Sequence, residues 1–134
     1  MFLDRLSGDE QKVYCQLAYA VMAADGEVID KELAFHDRCL RDLGIDELPE
    51  PAPDEGVAVP EGAFRLAASR KALLVELALL AVADGAVTGE ERSVLDSVAE
   101  QMDVDGHEVD RCLEYAGRLR DVLDEGTVLL AEGI

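Results

Sequence analysis

Apolar and polar positions along the chain alternate with a helical period. Apolar residues recur about every 3.6 positions through most of the sequence, and no stretch alternates with period two for long enough to form a strand. The pattern predicts an all-α protein, folded as a compact bundle of five to six helices. The 134 residues correspond to one ordinary domain, and 49% apolar residues are enough to build its core.

Local signals place the ends of these helices. Ser7, followed three residues later by Glu10, forms a capping box that predicts the start of the first helix, which should end at Asp25. A loop rich in proline and acids is predicted over 46–62. The remaining helices are predicted over about 30–43, from after Pro60 to 83, over 89–102, and over about 106–125, where Gly126 should stop the last one.

The chain resembles itself at an offset of 59 positions. Eight of the 35 pairs from position 12 to 46 are identical without a gap, from Lys12 with Lys71 to Asp46 with Asp105. Each copy, about 7–46 and 66–105, has the order helix, Asp-Gly turn, helix. Two αα-hairpins that each leave an apolar face uncovered most simply pack together, so the pattern predicts an internal pseudo-twofold repeat. The nearly uncharged helices of 13–24 and 72–83 should form its centre.

Each copy is centred on the motif Asp-Gly-x-Val-x-x-x-Glu, which has a structural interpretation. The Gly permits the positive φ of a helix end, and the Val seats the corner on the core. Glu91 completes a capping box with Thr88. In the first copy the cap position is Ile29, whose side chain cannot accept a hydrogen bond, so capping explains Glu32 less well.

The same motif matches the end of an EF-hand calcium loop. Positions 1 and 3 of such a loop should also supply oxygen ligands. In the first copy they fall on Val21 and Ala23, and in the second on Leu80 and Val82. Too few ligands remain for calcium, so the sequence argues against a true EF-hand.

A third interpretation pools the two turns into one metal site. If the pseudo-twofold brings them together, four carboxylates could bind one divalent ion or a pair: Asp25, Glu32, Asp84 and Glu91. Oxygen ligands favour Mg²⁺, Mn²⁺ or Ca²⁺. No cofactor is certain from the sequence.

Two further residues are secondary candidates for that site. Glu76 is the single acid in an apolar run, and a buried Glu needs a partner. Its alternative is to face Arg or Lys of a neighbouring helix, or solvent. His36 follows Glu32 by four residues on the same helical face and would suit Zn²⁺ or Mn²⁺. Its counterpart in the repeat is Leu95, which favours a histidine at the helix surface or core edge.

The duplicated "ADGxVxxxE", closing an apolar helix and opening an amphipathic one, resembles the tellurite-resistance TerB-like family. The N-terminal domain of certain membrane-anchored DnaJ-type co-chaperones shares the pattern. The resemblance covers roughly residues 7–125. It implies a bacterial helical domain associated with resistance to tellurite and other stresses, with partners at the inner face of the membrane. It also implies metal chelation by the acidic motif residues and no established catalytic activity.

The net charge, the apolar runs and the cysteines restrict the partners and the compartment that the sequence predicts. The net charge of −18 repels phosphate backbones and anionic lipid, which argues against nucleic acid as a partner. The most apolar run, 72–83, is too short to span a bilayer, so no membrane insertion is expected. Three cysteines without a C-x-x-C pair favour buried thiols in a reducing cytoplasm. The N-terminus shows no signal-peptide pattern.

These observations favour a non-enzymatic, acidic interaction module in a stress-response setting, able to bind a divalent cation. Its protein partner is unknown. The alternative is a dedicated metal-binding or metal-sensing protein. A hydrolase that uses the four motif carboxylates is an outsider, because motif acids alone do not make an active site.

Overall fold

The computed structural model describes residues 2–24, 30–44, 58–83 and 87–132. Within 30–44, which contains the second helix, it describes the backbone throughout but leaves out seven side chains. Over this part of the chain there are five α-helices, one short 3-10 helix and no strand, so the all-α prediction is confirmed. The 3-10 helix, Leu3–Arg5, was not predicted. The α-helices are α1 (Gly8–Ala23), α2 (Asp30–Leu43), α3 (Ala67–Ala81), α4 (Gly89–Gln101) and α5 (Gly106–Glu132).

The helix starts that carry a local capping signal lie where the sequence predicts them. The Ser7 hydroxyl accepts from the backbone N–H of Glu10, and the Glu10 carboxylate accepts from that of Ser7, which completes the predicted capping box of α1. α2 has its predicted bounds, and Gly44 follows it with φ +73°, the left-handed conformation that glycine permits. α4 ends within one residue of its prediction.

The predicted start of α3 is wrong. The helix was expected directly after Pro60, but it begins at Ala67. Ala63 instead closes a turn by donating to the carbonyl of Pro60 at 3.1 Å, and Gly62 has φ +76°. The turn places Phe64 in the core, where it is buried. A tertiary contact therefore decides this boundary, and no side-chain cap marks it in the sequence.

The predicted end of α5 is also wrong. Gly126 was expected to stop the helix, which instead continues through it to Glu132. A glycine inside a helix costs about 1 kcal/mol relative to alanine, and neighbours with good helix propensity tolerate it. The helix has 27 residues and is therefore about 40 Å long at 1.5 Å per residue.

The core is built around α3, which packs against the 3-10 helix and all four other α-helices. Its residues from Ala72 to Val82 are buried except for the half-buried Val75. α1 buries one face and exposes Lys12 and Gln16 on the other. The centre of the fold is therefore α3 rather than α1 and α3 equally. Among the described residues no helix is long and apolar enough to cross a bilayer.

Candidate functional site

The ends of the helices that lead into the two acidic motifs are well defined. After α1 the backbone N–H of Ala24 donates to the carbonyl of Val21 at 3.3 Å, and after α3 that of Val82 donates to the carbonyl of Ala78 at 3.0 Å. The predicted ligands Asp25 and Asp84 follow these ends and lie outside the described residues. The glycines of both turns do as well.

The side chains of Glu32 and His36 also lie outside the described part, although their backbones belong to α2. The pooled metal site therefore stays a prediction. Within residues 2–24, 30–44, 58–83 and 87–132, no group of three or more His, Cys, Asp or Glu side chains could hold a metal ion.

Glu91 is the one residue of the four predicted ligands whose side chain is described. Its carboxylate accepts from the backbone N–H of Thr88 at 3.0 Å, and its own N–H donates to the Thr88 hydroxyl at 3.1 Å. The predicted capping box of α4 is therefore confirmed. The side chain is buried, which is unusual for a capping acid at a helix start. In the second copy the motif acid thus has a structural role that needs no metal.

Glu76 is fully buried in α3, so the alternative in which it faces solvent is wrong. Its carboxylate accepts a hydrogen bond from the backbone N–H of Phe2, 74 positions away in the sequence. A carboxylate inside an apolar helix needs such a donor because burial removes its hydration. Glu76 therefore ties the N-terminal segment to the central helix.

The predicted burial of the cysteines is confirmed for the two whose side chains are described. Cys15 and Cys112 are buried, and the side chain of Cys39 lies outside the described residues. Burial, followed by the nearby Glu108 carboxylate, raises the pKa of the Cys112 thiol. A raised thiol pKa lowers the thiolate fraction at neutral pH, which makes this cysteine a poor nucleophile.

His107 is exposed at the start of α5. Its backbone N–H donates to the Asp105 carboxylate at 2.9 Å, so Asp105 caps the helix. The donor in this cap is the second N–H of the helix. His107 contributes only backbone to this contact.

The apolar face of α5 extends beyond the predicted end of the helix. Seven of its positions follow one another at alternating spacings of three and four, the pattern of a coiled-coil seam: Val109, Cys112, Ala116, Leu119, Leu123, Gly126 and Leu130. The first three are buried in the bundle. Leu123 is 50% exposed and Leu130 is 86% exposed. The same seam therefore leaves the core and continues into solvent.

The seam is uncovered because its partner helix ends. α3 stops at Ala81, and there the Arg120 guanidinium donates to the carbonyl of Val82 at 3.1 Å. Beyond Arg120, residues 121–132 are all exposed except the half-exposed Gly126. These 12 residues extend the helix by about 18 Å.

The uncovered part of the seam widens into an apolar face, which we call the distal stripe. At 100° per residue its members cover about a third of the helix circumference: Val122, Leu123, Gly126, Leu129 and Leu130. Val128, Asp121 and Asp124 lie on the other side of the helix, whereas Glu125 lies at the edge of the stripe beside Leu129. At the inner end of the stripe, Leu123 lines a groove with Ala34 of α2 and Leu79 of α3. The periodicity was visible in the sequence, but it gave no sign that this half of α5 is uncovered.

No family model, no curated protein and no solved structure matches the chain. The site must therefore be interpreted from its own residues.

Proposed function

We propose that the chain is a non-enzymatic, acidic interaction module that binds a protein partner through the distal stripe of α5. The main evidence is the exposure of this stripe, in which Leu129 is 67% exposed and Leu130 is 86% exposed. The N-terminal half of the same helix buries the same seam in the core. Contiguous exposed apolar surface on a soluble domain commonly marks a binding site. On a chain with net charge −18 it stands out from its charged surroundings.

We also propose that the bundle is an internal repeat of two αα-hairpins, α1–α2 and α3–α4. Three features support it. The helix starts Gly8 and Ala67 are 59 positions apart, as are Asp30 and Gly89. The second helix of each hairpin is followed by a residue with positive φ. These residues are Gly44, with φ 73°, and Asp103, with φ 57°, and they are also 59 positions apart. The six buried residues of α1 all correspond to buried residues of α3.

The biological setting rests on the resemblance of the duplicated motif to the TerB-like family. We propose a bacterial stress-response role in the cytoplasm, with a partner at the inner face of the membrane. A divalent cation bound by Asp25, Glu32, Asp84 and Glu91 would tune this interaction. The alternative, in which metal binding or sensing is the primary function, depends on the same four residues.

Site-specific cross-linking in the cell that produces the chain tests the interaction module. A photoreactive amino acid replaces Leu130 in one variant and Val128 in another. The two positions lie on opposite sides of one helix and are 86% and 56% exposed. We expect a discrete cross-linked protein from position 130 that is absent or much weaker from position 128. Equal products from both positions, or none from either, would contradict the proposal.

The metal prediction has its own test. Mg²⁺, Mn²⁺, Ca²⁺ or Zn²⁺ is added to metal-free protein, and the melting temperature is followed. A cation at 100 times its dissociation constant adds about 2.7 kcal/mol, which is about 10 °C for a domain of this size. The Asp25→Asn and Asp84→Asn double variant should lose the increase. If no cation raises the melting temperature, or if the double variant keeps the full increase, there is no pooled site.

A further inference from the structure

We propose that the partner presents a basic amphipathic helix to the distal stripe. This inference rests on the proposed function and adds the chemistry of the partner. Three observations support it: the geometry of the seam, the negative charge around it, and the fact that this charge disfavours a second copy of the chain or its own acidic segment as the occupant.

The geometry of the seam points to a helical occupant. The seam is buried over Val109, Cys112 and Ala116, and α5 packs against α3 and α4. Alternating spacings of three and four keep one face of a helix in register with a neighbouring helix. Since the same spacings continue through Leu123 to Leu130, the distal stripe has the register to receive a second helix where α3 ends. Recognition of an amphipathic helix by an apolar surface is a recurrent binding mode.

The charge of this half of the helix points to a basic occupant. Residues 121–134 contain four acids and no base. Arg120, at the inner end, pairs with Asp121 at 2.9 Å and reaches Asp124 at 4.0 Å. Glu125 and Glu132 make no ion pair with any described residue. Glu125 lies beside Leu129 along the edge of the stripe, within reach of a long Lys or Arg side chain. Opposite charges across such an edge favour encounter and select the partner.

The same charge argues against two other occupants. A second copy of α5 would add four more acids from its own residues 121–132, and that segment has no Lys or Arg to pair with them. The chain's own segment 46–57 carries five acids and no base, so it has the same sign as the stripe's surroundings. Juxtaposed like charges oppose association. A helix with an apolar stripe and Lys or Arg on its flanks meets neither obstacle.

Three synthetic peptides of about 18 residues separate these possibilities. The first has Leu at alternating spacings of three and four with Lys on both flanks. The second has Glu in place of every Lys, and the third has the composition of the first in scrambled order. One Trp in each peptide reports binding selectively, because the protein contains no Trp. We expect only the first peptide to bind, with a dissociation constant of about 10 µM or tighter, and more weakly as salt screens the charges.

Matched variants of the full chain locate the binding. Leu129→Asp with Leu130→Asp changes the stripe, whereas Val128→Asp with Ala131→Asp changes the opposite side of the same turn. Both pairs add two negative charges to the same turn of the helix, but on opposite faces. We expect the first pair to weaken binding at least tenfold, about 1.4 kcal/mol, and the second to change it by less than about threefold. Circular dichroism melts check that both variants keep the fold.

The outcomes are distinct. Equal binding of the acidic or scrambled peptide, or equal effects of the two variant pairs, would overturn the inference. So would a concentration-dependent dimer in sedimentation velocity that Leu129→Asp with Leu130→Asp abolishes, since a second copy would then be the occupant. If cross-linking from position 130 yields a partner but the basic peptide does not bind, the inference fails while the interaction module stands.

Discussion

Replacing Leu77 with alanine should lower the free energy of unfolding by about 3–5 kcal/mol, the range for a fully buried Leu whose surroundings cannot close the cavity. Leu77 is 0% exposed and lies in the middle of α3, which packs against every other helix of the described fold. Collapse around the missing side chain would require several helices to move at once. For a domain of this size the loss corresponds to a melting temperature lower by about 10 °C or more.

The matched control is Leu130→Ala, which makes the same chemical change at a position 86% exposed. It should alter the free energy of unfolding by less than about 0.5 kcal/mol. Urea denaturation of both variants measures the difference. A cost for Leu77→Ala below about 1.5 kcal/mol, or a cost for Leu130→Ala of similar size, would mean that α3 is not the centre of the core.

The second large effect is expected at Glu76, the carboxylate that accepts from the backbone N–H of Phe2. Glu76→Ala removes the acceptor and leaves both an unsatisfied N–H and a cavity in the centre of the fold. We expect a loss of about 2–4 kcal/mol in the free energy of unfolding. The N-terminal segment should also open more often, because this bond is one of the contacts that hold it to α3.

Glu76→Gln is the control, since its amide oxygen can still accept from Phe2. It should cost less than Glu76→Ala and keep the N-terminal segment in place. Amide hydrogen exchange of residues 2–6 is measured in both variants. Faster exchange in these residues alone distinguishes local opening of the segment from a general loss of stability. If exchange there stays slow in Glu76→Ala at a temperature where the core remains folded, another contact holds the segment.

Local chemistry explains which helix ends could be predicted from the sequence. The capping boxes of Ser7 with Glu10 and of Thr88 with Glu91 mark helix starts through residues three positions apart. The start of α3 has no such signal. It depends on the packing of Phe64, which is remote in sequence from much of the core it contacts. The offset of 59 would have placed this start correctly, because Gly8 shifted by that number is Ala67.

The candidate site was predictable only in part, for a related reason. Glu91 was expected as a capping acid or a ligand, and the capping geometry is present. The apolar period of α5 was also visible in the sequence. Whether a periodic face is buried depends on where the opposing helix ends, and the end of α3 relative to Arg120 is a property of the tertiary structure. For that reason the distal stripe could not be separated from the core by sequence alone.

The comparison of photo-cross-linking from positions 130 and 128 tests the central claim most directly, because it places one probe on each side of the same helical turn. The account predicts a discrete cross-linked partner from position 130, lost when Leu129 is also changed to Asp, and little or no product from position 128. The same product in equal yield from both positions would contradict it.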